Sequence, residues 1–281
     1  MESSQYEKLG YLHDNFKMFH LKDSNMKPYD FHYHDFIKIL VFLSGDVSYC
    51  IEGKTYDLQP YDIVLINAGE VHKPIVHSDK EYHRMVFYIS QDYLLSVKTD
   101  SCDLSYCFEK AKREKTHVLR ISSPTTSLLY QSCKKIESSL DDNDFGATLY
   151  HELLFLEFMI HLNRSSIHNK IHFLETNCAN PKVISAIEYI NQHLTTDLYI
   201  EDIAEHLFLS KFHLMHIFKE ETGYSIGNYI STKRLFLARE LIAKGHPITE
   251  ACFSCGFNHY STFSRAYKKL FKDIPRTLLK E

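Results

Sequence analysis

The sequence lacks any long apolar run. Its most hydrophobic stretch, residues 153–160, is interrupted by Glu157 and falls far short of the roughly 20 apolar residues a membrane span needs. The first residues, Met1-Glu2-Ser3-Ser4-Gln5, are polar and acidic, not the basic-then-apolar pattern of a secretory signal. Together these predict a cytoplasmic protein with no membrane partner. A cysteine framework is also missing. Seven cysteines are an odd number with no regular spacing, so a disulfide scaffold is excluded and reduced thiols are expected. Cys252 and Cys255 have the spacing of a zinc or redox pair, but no second pair accompanies them and both fall on one core helix. Net positive charge is lacking too: 32 Lys/Arg stand against 36 Asp/Glu, a net of −4. That argues against nucleic acid binding by the chain as a whole. The imbalance is local, however. Residues 1–180 hold 19 basic and 25 acidic side chains, and residues 181–281 hold 13 and 11. Arg265, Lys268, Lys269, Lys272, Arg276 and Lys280 crowd together with only Asp273 among them. Phosphate contacts follow such patches rather than total charge.

What is present is one helix-turn-helix pattern written twice. Ile200, Ala204, Leu207, Leu214 and Phe218 in the first copy match Ile248, Cys252, Cys255, Phe263 and Tyr267 in the second. The offset is 48 residues before the turn and 49 after it, so the second copy has one extra residue in its turn. Two short helices crossing steeply leave room for only a small side chain at the crossing. Ala204 and Cys252 fill that slot, a buried Cys behaving as a small hydrophobe. Ser210 is a good N-cap for the helix that follows, and Asn258 is its expected counterpart. Each second helix has one apolar face that must bury, and the opposite face is free to enter a groove. Residues 225–244 between the copies have helical spacing, with Gly245 and Pro247 as the stop. One rigid helix would hold two DNA-reading units at a fixed separation.

The first half reads differently. Residues 37–43, 47–51, 54–58, 62–66 and 84–89 are short strand candidates, with turns at Gly45-Asp46 and Glu52-Gly53. Many short strands and few helices suggest a β-barrel or jelly roll. His32 and His34 precede the first long strand, and His72 follows two strands later. Residues 125–140 and 147–163 read as helices. The second is apolar on two faces, one stripe being Leu149, Leu153, Leu156 and Ile160 and the other Phe155, Phe158 and Leu162. One stripe can cover the barrel, and the other needs a partner. Residues 166–180 have weaker spacing and are expected to link the two halves.

The C-terminal hundred residues resemble the DNA-binding domain of the AraC/XylS family of bacterial transcription regulators. The resemblance rests on Ile200-x-x-Ile203-Ala204-x-x-Leu207-x-Leu209-Ser210, on Phe218-Lys219-x-x-Thr222-Gly223-Tyr224-Ser225, and on Gly256-Phe257 followed by Phe263-Ser264-Arg265-x-Tyr267-Lys268-Lys269, with Pro275 as the end. Lys272 stands where the family usually has Gly, Leu278-Leu279 replaces a usual Tyr-Arg, and Cys252 replaces a common Ala. The resemblance implies seven helices with two helix-turn-helix units. It places base-reading residues at Phe212, Met215, His216, Tyr260, Ser261, Thr262, Ser264 and Arg265, with Ser210, Lys211, Lys219, Lys268 and Lys269 beside them. Arg265 stands out, because arginine can pair with both acceptors of guanine. The first half is similar to the cupin-like sensor barrel of the same family. Cupin enzymes hold a metal with two His, a Glu and a later His. His32, His34 and His72 match in place, but the Glu position is Lys38, a cation with no lone pair to donate. No metal and no other cofactor is therefore expected. These four residues become candidate ligand-binding groups, Lys38 suggesting an anionic or carbonyl-bearing effector.

The expected architecture is thus α+β and multidomain: a cupin-like barrel over 1–120, a helical dimerisation segment over 121–165, the linker over 166–180, and an all-α double helix-turn-helix domain over 181–281. The expected function is ligand-responsive, sequence-specific regulation of transcription, activation being favoured by the resemblance. The partners would be double-stranded DNA, a second copy bound through the Leu149, Leu153, Leu156 and Ile160 stripe, a small effector and RNA polymerase. No catalytic residue is assigned. Two other classes fit some of the same features: a metal-dependent cupin enzyme with an accessory DNA-binding domain, and a constitutive DNA-binding protein whose barrel only dimerises.

Overall fold

The computed structural model describes residues 16–24, 29–123, 126–176 and 180–275. The chain divides into two compact units, one of residues 1–51 and 55–178 and the other of residues 52–54 and 179–281.

The first unit is built on two sheets. Its strands are β1 (Phe16–Asp23), β2 (Ile37–Ser44), β3 (Val47–Ile51), β4 (Lys54–Asp57), β5 (Ile63–Ile66), β6 (His72–Val76), β7 (Tyr82–Ile89), β8 (Val118–Ile121) and β9 (Ile171–Phe173). One sheet runs β1-β7-β2-β5-β8-β9 and the other β4-β3-β6. β2 is apolar on both faces because both are covered. Ile37, Ile39, Val41 and Leu43 belong to one core, and Leu40 and Phe42 to a second. The second core lies between the sheets, where Val47, Tyr49, Ile51 and Tyr56 meet Val64, Ile66, Val86 and Tyr88. Side chains alternate along a strand, so Lys38 shares its face with Leu40 and Phe42 and enters this interior. The other core is closed by α1 (Gln91–Ser96), α2 (Tyr106–Arg113), α3 (Leu128–Ser139) and α4 (Ala147–Ile167).

On α4 the two stripes separate as their chemistry requires. Phe155, Phe158 and Leu162 are buried against the sheet, joined by Leu154 and Met159. Leu149, Leu153 and Ile160 are exposed, while Leu156 is half-buried and packs on the core. Each large core side chain of this kind contributes about 1.5–3 kcal/mol.

Several elements depart from the strand and helix pattern of the sequence. β1 carries Lys17, His20 and Lys22 among its apolar residues, and β6 contains Pro74, so neither has a clean alternation. The expected linker at 166–180 is corrected. Ser166 and Ile167 end α4, and Ile171–Phe173 form β9, which pairs with β8. Three residues are too few to show a period, yet Ile171 is buried and Phe173 packs on the core. The helix expected from 125 begins at Leu128, and Thr125 lies outside the described residues.

The second unit is helical: α5 (Pro181–Gln192), α6 (Ile200–His206), α7 (Lys211–Thr222), α8 (Ile226–Ala243), α9 (Ile248–Ser254) and α10 (Tyr260–Phe271). Six helices of the seven implied fall among the described residues. The pairs α6–α7 and α9–α10 are the two helix-turn-helix units, and α8 is the connector. Ala204 and Cys252 fill the crossings as buried residues. Ser210 caps α7 by accepting from the His213 N–H at 3.3 Å. The expected cap at Asn258 is corrected: His259 is the N-cap of α10, with no side-chain hydrogen bond, because the extra turn residue moves Asn258 one position too early.

The two turns solve one backbone problem with different residues. After α6 and after α9 the chain takes a left-handed conformation, at Phe208 (φ 54°) and at Gly256 (φ 83°). Glycine adopts it freely, whereas a side chain resists it. The C-caps of α7 and α10 repeat the contrast with Gly223 (φ 75°) and Lys272 (φ 56°).

Candidate nucleic-acid interface and ligand site

On α7 the buried face is Leu214, Ile217 and Phe218. This leaves Lys211, Phe212, Met215, His216 and Lys219 exposed. Phe212 is 82% and Met215 38% accessible. No core contact explains so open a phenylalanine, and thymine methyl groups are apolar features it can meet in a major groove. Lys211 is held by Glu201 on α6, Nζ to Oε1 2.5 Å, and that ion pair pulls the Glu201 carboxyl below its usual range. His216 lies 3.8 Å from Glu220 one turn on. The polar groups of α7 thus stand beside acids, Glu201 of α6 and Glu220 of α7.

On α10 the buried face is Phe263, Tyr267 and Phe271. Tyr260, Ser261, Thr262, Arg265, Lys268 and Lys269 are exposed, and Ser264 is half-buried. Arg265 donates its Nε–H to the Ser261 carbonyl at 3.2 Å, which lays the side chain along the helix. Among the described residues its terminal nitrogens make no hydrogen bond. Lys268 and Lys269 occupy the last turn, where cations also complement the helix dipole. Arg276 and Lys280 of the basic cluster lie outside the described residues. Cys252 and Cys255 are both buried and unbridged. Burial pushes the Cys255 thiol up to about 11, so thiolate chemistry is suppressed there.

The other polar constellation is inside the sheet sandwich. His32 and His72 pair through their main chains, N–H to O at 3.0 and 2.9 Å. The ring centroids of His34 and His72 are 4.8 Å apart. Lys38, only 2% accessible, donates to the Tyr49 hydroxyl at 3.1 Å. Tyr49 was not among the residues singled out above, although its position in β3 puts it on the interior face. His34 Nδ1 lies 2.8 Å from the Phe36 carbonyl, and His72 Nδ1 2.8 Å from the Glu70 carbonyl. A carbonyl only accepts, so each Nδ1 carries the proton. Burial first, and the Lys38 charge second, hold both imidazoles well below their ordinary 6.5. Each neutral ring therefore presents a lone pair at Nε2, and among the described residues neither buried Nε2 has a hydrogen-bond partner. A divalent cation does not fit this arrangement, because the ammonium of Lys38 stands among the donors. Among the described residues no group of three or more His, Cys, Asp or Glu is placed to hold a metal ion. Elsewhere on this unit, a groove of about 450 Å³ is lined by Phe16, Met18, His20, Tyr93, His151 and Glu152 among others. No helix of the described residues is long and apolar enough to cross a membrane.

Comparison with known proteins agrees with both halves. The AraC-like ligand binding domain family matches residues 20–159, and the helix-turn-helix domain family matches residues 203–281. The chain is 23% identical over 248 residues to the HTH-type transcriptional activator RhaS of Escherichia coli (strain SMS-3-5 / SECEC), covering 88% of this chain and 86% of that one. It is 24% identical to the RhaS activator of Enterobacter sp. (strain 638), with the same coverage. Among solved structures it is similar to ToxT from Vibrio cholerae O395, with 15% identity, 94% of this chain and 97% of that chain covered, and a TM-score of 0.39. The C-terminal domain of AraT from Geobacillus stearothermophilus is 31% identical over 36% of this chain and 85% of its own, with a TM-score of 0.35. With a ligand-binding domain ahead of paired helix-turn-helix units, the chain belongs to the AraC family of DNA-binding transcription regulators.

Proposed function

We propose that this protein is a ligand-responsive activator of transcription that lays α7 and α10 into two successive major-groove segments. The observation that carries this reading is the pair of matched helices whose outward faces are free of any core role. The turns would be met about 34 Å apart along the duplex. Activation is what the RhaS relatives are named for, and it implies RNA polymerase as a partner in the cytoplasm. A homodimer would use the exposed Leu149, Leu153 and Ile160 of α4, with Leu156 at the margin of the contact. The barrel serves as a sensor rather than an active site, since Lys38 replaces the carboxylate that a metal-dependent cupin would need. Hydroxyl-radical footprinting of the full chain on DNA upstream of a regulated promoter tests the DNA reading. Protection on one face of the duplex over two consecutive turns supports it, and protection of a single turn overturns it.

The effector chemistry follows from the tautomers. Two buried Nε2 lone pairs ask for hydrogen-bond donors, which a carboxylate does not have. A neutral ligand with hydroxyl groups can donate to His34 and His72 beside Lys38 and Tyr49, with His32 at the rim. This replaces the anionic or carbonyl-bearing effector suggested by Lys38 alone. The test is a thermal shift of the full chain against neutral polyols and against carboxylates, since a ligand that binds only the folded state raises stability. A rise with a polyol that disappears in His72→Phe supports the assignment. A rise with carboxylates alone, or one unchanged in His72→Phe, contradicts it.

A further inference from the structure

Arg234 on α8 reaches the main chain of the lead-in to the first helix-turn-helix unit and of the turn of the second at once. Its Nε–H donates to the Leu194 carbonyl at 2.8 Å, and Nη2 donates to the Thr196 carbonyl at 2.7 Å. Both carbonyls lie in the connection between α5 and α6 that leads into the first unit. Nη1 donates to the Gly256 carbonyl at 2.7 Å. Gly256 opens the turn of the second unit. A guanidinium is planar, and its donors form a rigid fork, so the three carbonyls are held in one geometric frame. All three partners are backbone groups, and what the fork reads is therefore main-chain position. Gly256 fits the clamp in a second way. A Cβ built there would fall 2.8 Å from Arg234 Cζ, so the absent side chain makes room for the guanidinium as well as permitting φ of 83°.

We infer that Arg234 is a positioning residue that fixes the two reading helices relative to each other and so sets the box spacing the protein accepts. The inference rests on the two-reader function proposed above. α8 alone fixes the distance along its own axis. Without the clamp, the lead-in to α6 and the turn before α10 lose their common anchor. The readers could then adapt to boxes displaced by a base pair.

The test is a gel-shift series with the full chain on duplexes carrying both boxes at the preferred spacing and at one and two base pairs more or less. Duplexes with either box scrambled complete the set. Wild type is expected to lose roughly ten-fold or more for each displaced base pair, because avidity vanishes when geometry forbids simultaneous engagement. Arg234→Ala should flatten that profile to within about three-fold while each single box binds within about two-fold of wild type. Arg234→Lys, which keeps the charge without the fork, should fall between them, and it provides the readout if the alanine variant does not fold. A uniform loss at every spacing, or an unchanged profile in both variants, overturns the clamp. Indifference to spacing in wild type itself overturns the two-reader function and the inference with it.

Discussion

The two helix-turn-helix units share a fold and differ in what they offer to DNA. α7 presents Phe212 and Met215, and its polar groups stand among acids: Lys211 is paired to Glu201, and Glu220 follows His216 by one turn. α10 presents Arg265, Tyr260 and a lysine pair, and its exposed residues from Tyr260 to Lys269 include no acid. A fold fixed in both units by a small crossing residue and one apolar face leaves the outward positions free to diverge. The first unit is suited to apolar contacts and groove shape, the second to hydrogen bonds and phosphate charge.

The largest expected effect of breaking this contrast is at Arg265. Arg265→Ala should cost about 1–3 kcal/mol of base discrimination, roughly 5- to 150-fold, at one base pair of the second box. Gel shifts with that pair exchanged would measure it. Phe212→Ala should cost about 1 kcal/mol at the first box, the order of one or two methylenes removed from an apolar contact, with no change in salt dependence. Smaller, and opposite in sign, are two charge effects on the slope of log K against log salt. Lys268→Ala should reduce the slope by about 1, while Glu201→Gln should release Lys211 to phosphate and increase it by about 1. Binding measured between 50 and 200 mM salt separates them. The last effect falls on stability rather than binding and sharpens the backbone comparison. Phe208→Gly and Lys272→Gly relieve left-handed strain, and each should raise unfolding stability by about 1 kcal/mol without altering DNA affinity, as thermal melting would record.

How much of this was legible in the sequence depended on repetition. The paired units could be read because one copy interprets the other: Ala204 and Cys252, Leu214 and Phe263, Phe218 and Tyr267 occupy matching positions. The turns were legible only in part: the extra residue of the second copy could be counted, but the cap expected at Asn258 falls on His259, and the left-handed position shared by Phe208 and Gly256 belongs to the folded backbone. β9 and β1 were not legible, because three residues or a strand edged with Lys and His show no period. The Lys211–Glu201 pair joins two helices and the Arg234 clamp joins a helix to a loop and a turn, and no spacing rule links position 234 to 194, 196 and 256. In the sensor half, His32, His34 and His72 could be singled out by resemblance. The protonated nitrogen of His34 and His72 depends on carbonyls at Phe36 and Glu70, which only the folded backbone puts in place.

The contrast between the two readers is tested most directly by selecting binding sites from random duplex DNA with the full chain, in parallel as wild type, Phe212→Ala and Arg265→Ala. The account predicts two short boxes about ten base pairs apart in the wild-type pool. Phe212→Ala should degrade only the first, and Arg265→Ala should relax a single position of the second. Equal weakening of both boxes by either variant, or a wild-type pool with one box, would contradict it.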